Sequence, residues 1–596
     1  YKHQKLNPVK EILMRFLCAC AVHSFLSRQE ENTGRPTILQ PFYEEYPYSF
    51  FSFFIIFASK YHFNMKISNI LFFIGITFSH LALAQQTLPR DPDCCTSIMV
   101  GKLASTDGSV MTSHTCDSWY RTWVNIVPAA DFANDTVMNI YDGRMHTESV
   151  NDQTNLSVKG QIPQAKHTYA FLDTAYPCLN EKQLAMGETT ISGRDTLRNA
   201  KGMFMIEELA RVALQRCTTA REAIQLMGKL VKEYGYGDSG ECLTIADPKE
   251  VWHFEIFGEG PDQIGGVWAA VRIPDDEIGV SANISRISTL NLKDTDHYMA
   301  SENVFSVAKK LKLWDGKEPF KFWKAYGGPN YFGKMQAFSI REFFILSTLA
   351  PSLKLSMDDE ELPLSVKPEK KISNTDVMAY LRQTYEGTEW SVTKNLKVAV
   401  KDRKTGKTDT ITSPRANPWM RTDEVQLYNA LQKGSVTANR NVAVPQCAYS
   451  TVIQLRSWLP DAVGGVCWFA MDNPGQSPRV PIFCGTTDLP AMFKICGNHR
   501  YRLDAALWHY RQANKLATVR WGNARKIMEK NQMHFERKGL EELPMVEQRY
   551  AELVKSQGED AAKAYLTDYT MDFIGATLLR WDEMTAKYWN DYRFGF

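Results

Sequence analysis

Three side chains able to do chemistry, Cys95, His114 and Asp117, flank a strong hairpin signal at Asp107-Gly108. A hairpin turning near 106 and 107 pairs residues whose numbers sum to about 213, give or take about two for the loop type, so Cys95 faces a position near 118 and Asp117 lands beside it. Local structure alone thus brings a nucleophile and an acid together. If proteolysis makes Cys95 the first residue, its α-amine, with an ordinary pKa of about 7.7 to 8, takes the proton of a thiol whose ordinary pKa is about 8.5. The thiolate attacks an amide carbonyl, an acyl-enzyme forms, the ammonium assists the leaving amine, and water regenerates the thiol. Backbone N–H groups and an Asn side chain stabilise the oxyanion, at about 3 kcal/mol per donor.

Plainer readings stand beside these. An arbitrary cysteine reads as a buried apolar residue at a strand end, but a signal peptide, Cys-Thr-Ser, a strand and a tight turn favour Cys95 as nucleophile; Asp117 also reads as a cap or turn residue, and Asn283 as a turn former. Cys94 competes for the free amine, but the order Cys-Thr-Ser favours Cys95. His253 and Glu255 share a strand face by period two, yet no third ligand lies nearby and a metal is disfavoured. Arg286, three residues after Asn283, belongs on the opposite face of a regular strand, as an ion-pair partner.

The elements that must position these groups are β-prone runs at 96–100, 110–114, 123–128, 168–174, 242–247, 250–257, 268–273 and 278–283, punctuated by Gly, Pro and Asp. Between them, 203–216 and 220–234 carry apolar residues at helical spacing. The stretch 356–375 reads as a solvated loop and 398–413 as an exposed hairpin. Strands return at 450–455 and 465–470. From Tyr501 to Trp589 the pattern is almost wholly helical, suited to covering a sheet or pairing subunits.

Ahead of Cys95, residues 1–64 contain an aromatic run with no amphipathic period and read as an upstream or non-folded segment, a membrane anchor being the alternative. Met65-Lys66, the apolar stretch Ile70 to Leu83 and Ala82-Leu-Ala84 read as a signal peptide over 65–84, and 85–94 as a propeptide. Export, periplasmic or extracellular, is expected. It would expose Cys116, Cys178, Cys217, Cys242, Cys447, Cys467, Cys484 and Cys496 to an oxidising compartment, with no pairing legible. No cofactor and no metal are expected. With 596 residues, 44% hydrophobic and 12% aromatic, the chain can bury a large core. A net charge of +2 argues against nucleic acid or a stable membrane partner.

Cys95-Thr-Ser-Ile-Met-Val-Gly-Lys102 followed by Ala104-Ser-Thr-Asp-Gly-Ser109 resembles the opening of the dipeptidase A family of N-terminal-nucleophile (Ntn) cysteine hydrolases, related to penicillin V acylases and bile salt hydrolases. Leu179 to Ala185, Glu188 to Gly193, Trp252-His-Phe-Glu255, Val280 to Ile287 and Trp468 to Pro474 extend the match. The resemblance implies an α+β fold, a four-layer αββα sandwich of antiparallel sheets over 95–500 with a helical extension over 501–596. It also implies cleavage of dipeptides with a free amino terminus, with Cys95 as nucleophile, Asp117 as the carboxylate that meets an amine, and Asn283 at the oxyanion. Thr189 stands near expected backbone donors, and His114 replaces the Arg that relatives carry, a change that bears on substrate choice. Both are assigned to substrate binding. The expected partner is a dipeptide or short peptide, with a homo-oligomer possible. Two alternatives remain: the same mechanism on another amide, such as an N-acyl amino acid or a bile-salt or penicillin type substrate, and a catalytically silent peptide-binding surface protein.

Overall fold

A computed structural model describes residues 95–329 and 335–595. The segments read as upstream sequence, signal and propeptide lie outside the described residues. Among the described residues no helix is long and apolar enough to cross a membrane.

Two antiparallel sheets carry the site. The first contains β1 (Ser97–Val100), β2 (Val110–Cys116), β10 (Ile278–Ser281), β12 (Ser365–Val366), β13 (Tyr449–Leu455), β14 (Val466–Met471) and β15 (Val480–Phe483), ordered β12-β10-β1-β2-β13-β14-β15. The second contains β3 (Asn125–Val127), β4 (Phe171–Asp173), β5 (Leu179–Asn180), β6 (Ala185–Thr190), β7 (Glu241–Ala246), β8 (Val251–Gly258), β9 (Gly266–Ile273) and β11 (Tyr298–Ala300), ordered β11-β9-β8-β7-β6-β5-β4-β3.

The hairpin of β1 and β2 forms as expected, with Met99 opposite Thr112 and Thr96 bridged to Thr115, a register sum of 211 that lies within the tolerance allowed. β1 and β2 are buried along their whole length, because both lie inside the sheet and both faces are covered. Their faces nevertheless differ. Ile98 and Val100 pack with Ile345 and Leu349 of α3 (Ile340–Leu349) and with Val377 and Leu381 of α4 (Asn374–Leu381). Ser97 points the other way, its hydroxyl donating to the Glu188 carbonyl of the second sheet at 3.1 Å. Thr112 likewise meets Thr244 of β7, hydroxyl to hydroxyl at 2.7 Å.

Gly187 permits this close approach of the sheets. A Cβ at that position would stand 2.2 Å from the Ser113 carbonyl oxygen and 3.0 Å from Ser97 Oγ, which no real side chain tolerates.

Helices α1 (Ile206–Arg216) and α2 (Ala220–Tyr234) pack on the second sheet. α2 begins in a capping box between Thr219 and Glu222, which satisfies two amide donors that an uncapped helix leaves open. The tail forms α5 (Ala506–Thr518), α6 (Trp521–Gln557) and α7 (Glu559–Asp591), which pack on β14 and β15 of the first sheet. Gly539 of α6 sits where a Cβ would be 2.8 Å from the Trp468 ring. The fold is therefore mixed α and β, with antiparallel sheets and a helical C-terminal region.

Two local expectations need correction. The stretch 356–375, read as a loop, contributes β12, which pairs with β10, and runs into the first turn of α4. The strand carrying Asn283 ends at Ser281, so period-two alternation does not reach Arg286. Its guanidinium donates to the Pro363 carbonyl at 2.5 Å and not to a carboxylate. Among the described residues all nine cysteines are free thiols, and none of the bridges an oxidising compartment would permit is formed.

Candidate active site

Continuing the alternation of β1 places Cys95 on the same side as Ser97, between the sheets, and its side chain is fully buried. Just beyond the end of β2, Asp117 supplies a backbone N–H to the thiol. A second link runs through Thr115, whose hydroxyl accepts from the Thr96 amide at 2.9 Å and donates to Asp117 Oδ2 at 2.9 Å. Asp117 Oδ2 also pairs with Arg440 Nη2 at 3.0 Å, while Oδ1 is buried with no hydrogen-bond partner.

From the other side comes Arg341, in the first turn of α3. That turn is fixed by a capping box between Ser339 and Glu342. Arg341 Nη1 donates to the Cys95 carbonyl at 2.7 Å and to Asn283 Oδ1 at 2.9 Å, and Nη2 donates to the Ala282 carbonyl at 3.0 Å. Asn283 adopts φ 62°, a left-handed conformation that Asn enters more readily than most residues. Its Nδ2 donates to the Thr190 carbonyl at 2.7 Å, so one side chain spans from the end of β6 to the guanidinium beside Cys95.

A third side of the site is acidic. His114 Nε2 lies 3.3 Å from Glu188 Oε2, and neither ring nitrogen of His114 nor that carboxylate oxygen has a hydrogen-bond partner, although all are buried. Tyr176 and Tyr449 flank the imidazole edge-on, with ring centroids at 5.5 and 5.6 Å. Ligand atoms of Cys95, His114 and Glu188 lie within 4.8 Å of one another. Glu188 Oε1 accepts from Thr190 Oγ1 at 3.1 Å, and the neighbouring Glu241 carboxyl is held well above its ordinary pKa by burial and by the charge of Glu188. The Cys95 thiol is likewise pushed well above its ordinary value, first by burial and then by Glu188, Cys116 and Asp117.

Thr189 is placed differently. Its hydroxyl meets Ser281 Oγ at 2.6 Å and opens a buried polar chain: Ser281 to Cys242 Sγ at 3.4 Å, Cys242 to His253 Nδ1 at 3.6 Å, and His253 Nε2 to Glu255 Oε1 at 2.7 Å. Glu255 in turn accepts from the amides of Arg286 at 2.5 Å and Ile287 at 3.1 Å and from the Ser285 hydroxyl. The shared face of His253 and Glu255 therefore clamps the loop that follows Asn283.

Of the residues singled out in the sequence, Cys95, Asp117, Asn283 and His114 converge, while the Thr189 hydroxyl points into the polar chain. Sequence reasoning missed Arg341, Arg440 and the side chain of Glu188. The Ser339 to Glu342 capping box is legible, but nothing local connects it to a cysteine 246 residues away from Arg341.

The arrangement offers a thiol ringed by two carboxylates and two guanidinium groups, suited to attack on a polar carbonyl compound. Comparison with known proteins agrees. Residues 94–534 match the model of peptidase family C69. The chain is 26% identical over 405 residues to a probable dipeptidase of Latilactobacillus sakei, covering 67% of this chain and 76% of that protein. It is 24% identical over 434 residues to probable dipeptidase B of Streptococcus pyogenes serotype M1, covering 70% and 76%. It is 25% identical over 408 residues to a probable dipeptidase of Salmonella dublin, covering 66% and 81%. The chain belongs to peptidase family C69, and it is a cysteine-type peptidase that hydrolyses peptide bonds.

Proposed function

We propose that the protein is an exported dipeptidase in which Cys95, freed by removal of everything before it, acts as both nucleophile and base. The observation that carries this reading is the position of Cys95 at the head of β1, its thiol on the Asp117 amide and its carbonyl on Arg341. Supporting it are the relatives, each named a probable dipeptidase. Two face-to-face sheets, with helices packed on each, fit the four-layer Ntn sandwich.

Surroundings that hold the thiol proton tightly call for a base on the same residue. The α-amine takes that proton, and the resulting ammonium is stabilised by the acids that oppose the thiolate, Asp117 and Glu188. Sulfur attacks the scissile carbonyl carbon, and its oxygen becomes an anion near Asn283. The ammonium then gives its proton to the leaving amine as the C–N bond breaks. Water, deprotonated by the same amine, attacks the thioester and expels the sulfur. Asp117 Oδ1, buried and unpartnered, is a site for the free ammonium of a dipeptide or of Cys95 itself. His114, beside Glu188, and the Thr189 region complete the substrate side.

N-terminal sequencing of active, exported protein tests this directly, together with assays on free and N-blocked dipeptides. Cys95 at the front and activity confined to unblocked substrates are expected. Active protein that begins at Gln85, or equal turnover of N-acyl substrates, overturns it.

A further inference from the structure

We propose that Cys95, His114 and Glu188 form a reversible zinc site that switches the nucleophile off. The inference deepens the reading of Cys95 as a liberated N-terminal residue and names a means of regulating that site.

Three observations carry it. The three side chains are of different elements and elements' hardness, a thiol, an imidazole and a carboxylate, and their ligand atoms already lie within 4.8 Å of one another. A tetrahedral zinc ion with bonds of about 2.0 to 2.3 Å needs separations between ligands of about 3.3 to 3.8 Å. His114 Nε2 and Glu188 Oε2 already stand at 3.3 Å, and the Cys95 sulfur lies within 4.8 Å of its fellow ligand atoms. Second, His114 Nδ1, His114 Nε2 and Glu188 Oε2 are buried and lack any hydrogen-bond partner. Unpaired polar atoms at such depth cost about 1 to 3 kcal/mol each, a penalty that a cation bound between Nε2 and Oε2 would relieve at those two atoms. Third, Tyr176 and Tyr449 hold the imidazole edge-on from two sides, and Thr190 fixes the other oxygen of Glu188, so two of the ligands are already oriented.

A free N-terminal cysteine adds a fourth ligand. Its amine and thiolate close a five-membered chelate around one ion, completing a tetrahedral set of two nitrogens, one sulfur and one oxygen. Binding forms the zinc–sulfur bond and releases the thiol proton to buffer, so the high affinity of this buried thiol for its proton is overcome by direct coordination. The nucleophilic electron pair and the basic amine are then both engaged. Arg, the residue expected at position 114 from the family resemblance, offers no lone pair to a metal. The departure at His114 is therefore what makes the site.

The test uses mature, active protein stripped with a chelator and titrated with Zn2+ and with Co2+ as a spectroscopic substitute. One equivalent should bind, with thiolate-to-cobalt charge-transfer absorption, and should protect Cys95 from iodoacetamide. His114→Asn and Glu188→Gln should each weaken zinc affinity by at least about tenfold, the loss that removal of even an outer-shell partner brings. Circular dichroism checks that the variants fold, and His114→Arg provides a second replacement. Zinc affinity and protection unchanged in all three variants, or an absent cobalt–thiolate band, overturns the site. N-terminal sequencing separates the two readings: a retained leader removes the amine ligand and defeats the proposed mechanism, while the variants and the band still judge the three side-chain ligands.

Discussion

Arg341 Nη1 stands 2.9 Å from Asn283 Oδ1 and, with the same nitrogen, 2.7 Å from the carbonyl oxygen of Cys95. One cation thereby fixes the head of β1, where Cys95 sits, and the side chain proposed for the oxyanion. A planar fork with donors on separate nitrogens can hold several acceptors at once; a lysine ammonium on a flexible stem cannot hold the same set. Arg341→Lys should therefore keep the charge and lose the geometry, lowering kcat by about a hundredfold and stability by about 2 kcal/mol. Steady-state kinetics and urea unfolding check both; kcat within twofold of the parent would remove Arg341 from the positioning of the site.

Replacing Cys95 separates chemistry from folding. The thiol is buried and makes no disulfide, so Cys95→Ala should unfold within about 1 kcal/mol of the parent while losing turnover by a factor on the order of a thousand or more. Turnover assays beside thermal melts decide the matter, and activity persisting in the alanine variant refutes the nucleophile assignment.

Gly187 tests the spacing of the sheets. Its missing Cβ faces a backbone oxygen, which cannot rotate away, so Gly187→Ala must spread β2 from β6. A loss of about 3 kcal/mol or a failure to accumulate is expected, against less than about 1 kcal/mol for Gly575→Ala in α7, a helical glycine with open space around it. Comparable melting temperatures for the two variants would contradict the close approach.

Acidity supplies a test away from the thiol. Burial first, and then the charges of Asp238 and Glu208, push the Glu207 carboxyl from an ordinary 4.5 up to about 8. The folded protein therefore holds a proton that the unfolded chain has released between those values. The stabilisation is fully present below pH 4.5 and is lost as pH rises towards 8, at up to about 1.4 kcal/mol per pH unit from this group. Glu207→Gln, which keeps the shape and cannot ionise, should flatten that fall. Urea midpoints between pH 5 and 8 measure it, and identical slopes in parent and variant would exclude Glu207 as the source.

Glu255 provides a fifth case. It accepts from His253, Arg286, Ile287 and Ser285, so Glu255→Ala strands four donors and frees the loop behind Asn283. Stability should drop by about 3 kcal/mol, with kcat falling more than KM rises. Glu255→Gln should restore part of kcat because an amide oxygen still accepts. A change confined to KM would deny the loop a positioning role.

Local signals were readable where neighbours in sequence become neighbours in space. The Asp107-Gly108 turn set the register that brings Asp117 to Cys95, and the helical periods over 203–216 and 220–234 correspond to α1 and α2. Arg341 and Arg440 stayed hidden because they arrive from distant elements, and an arginine in a helix turn or loop has many uses on a surface. Arg286 was misread for a different reason: β10 stops at Ser281, and the chain turns through the left-handed Asn283 before alternation can apply. Period two also grouped His253 with Glu255 correctly but could not reveal that three loop donors were waiting for the carboxylate.

The pairing order of the first sheet has a bearing on how the protein is made. β1 and β2 leave the ribosome early, yet the strands that enclose them, β10 and β13, emerge much later. Such pairing between remote segments is slow, because a long stretch of chain must be closed before contacts compensate. A newborn chain thus carries Cys95 through most of translation before the strands that enclose it arrive, so the cysteine is made first and its surroundings are assembled last.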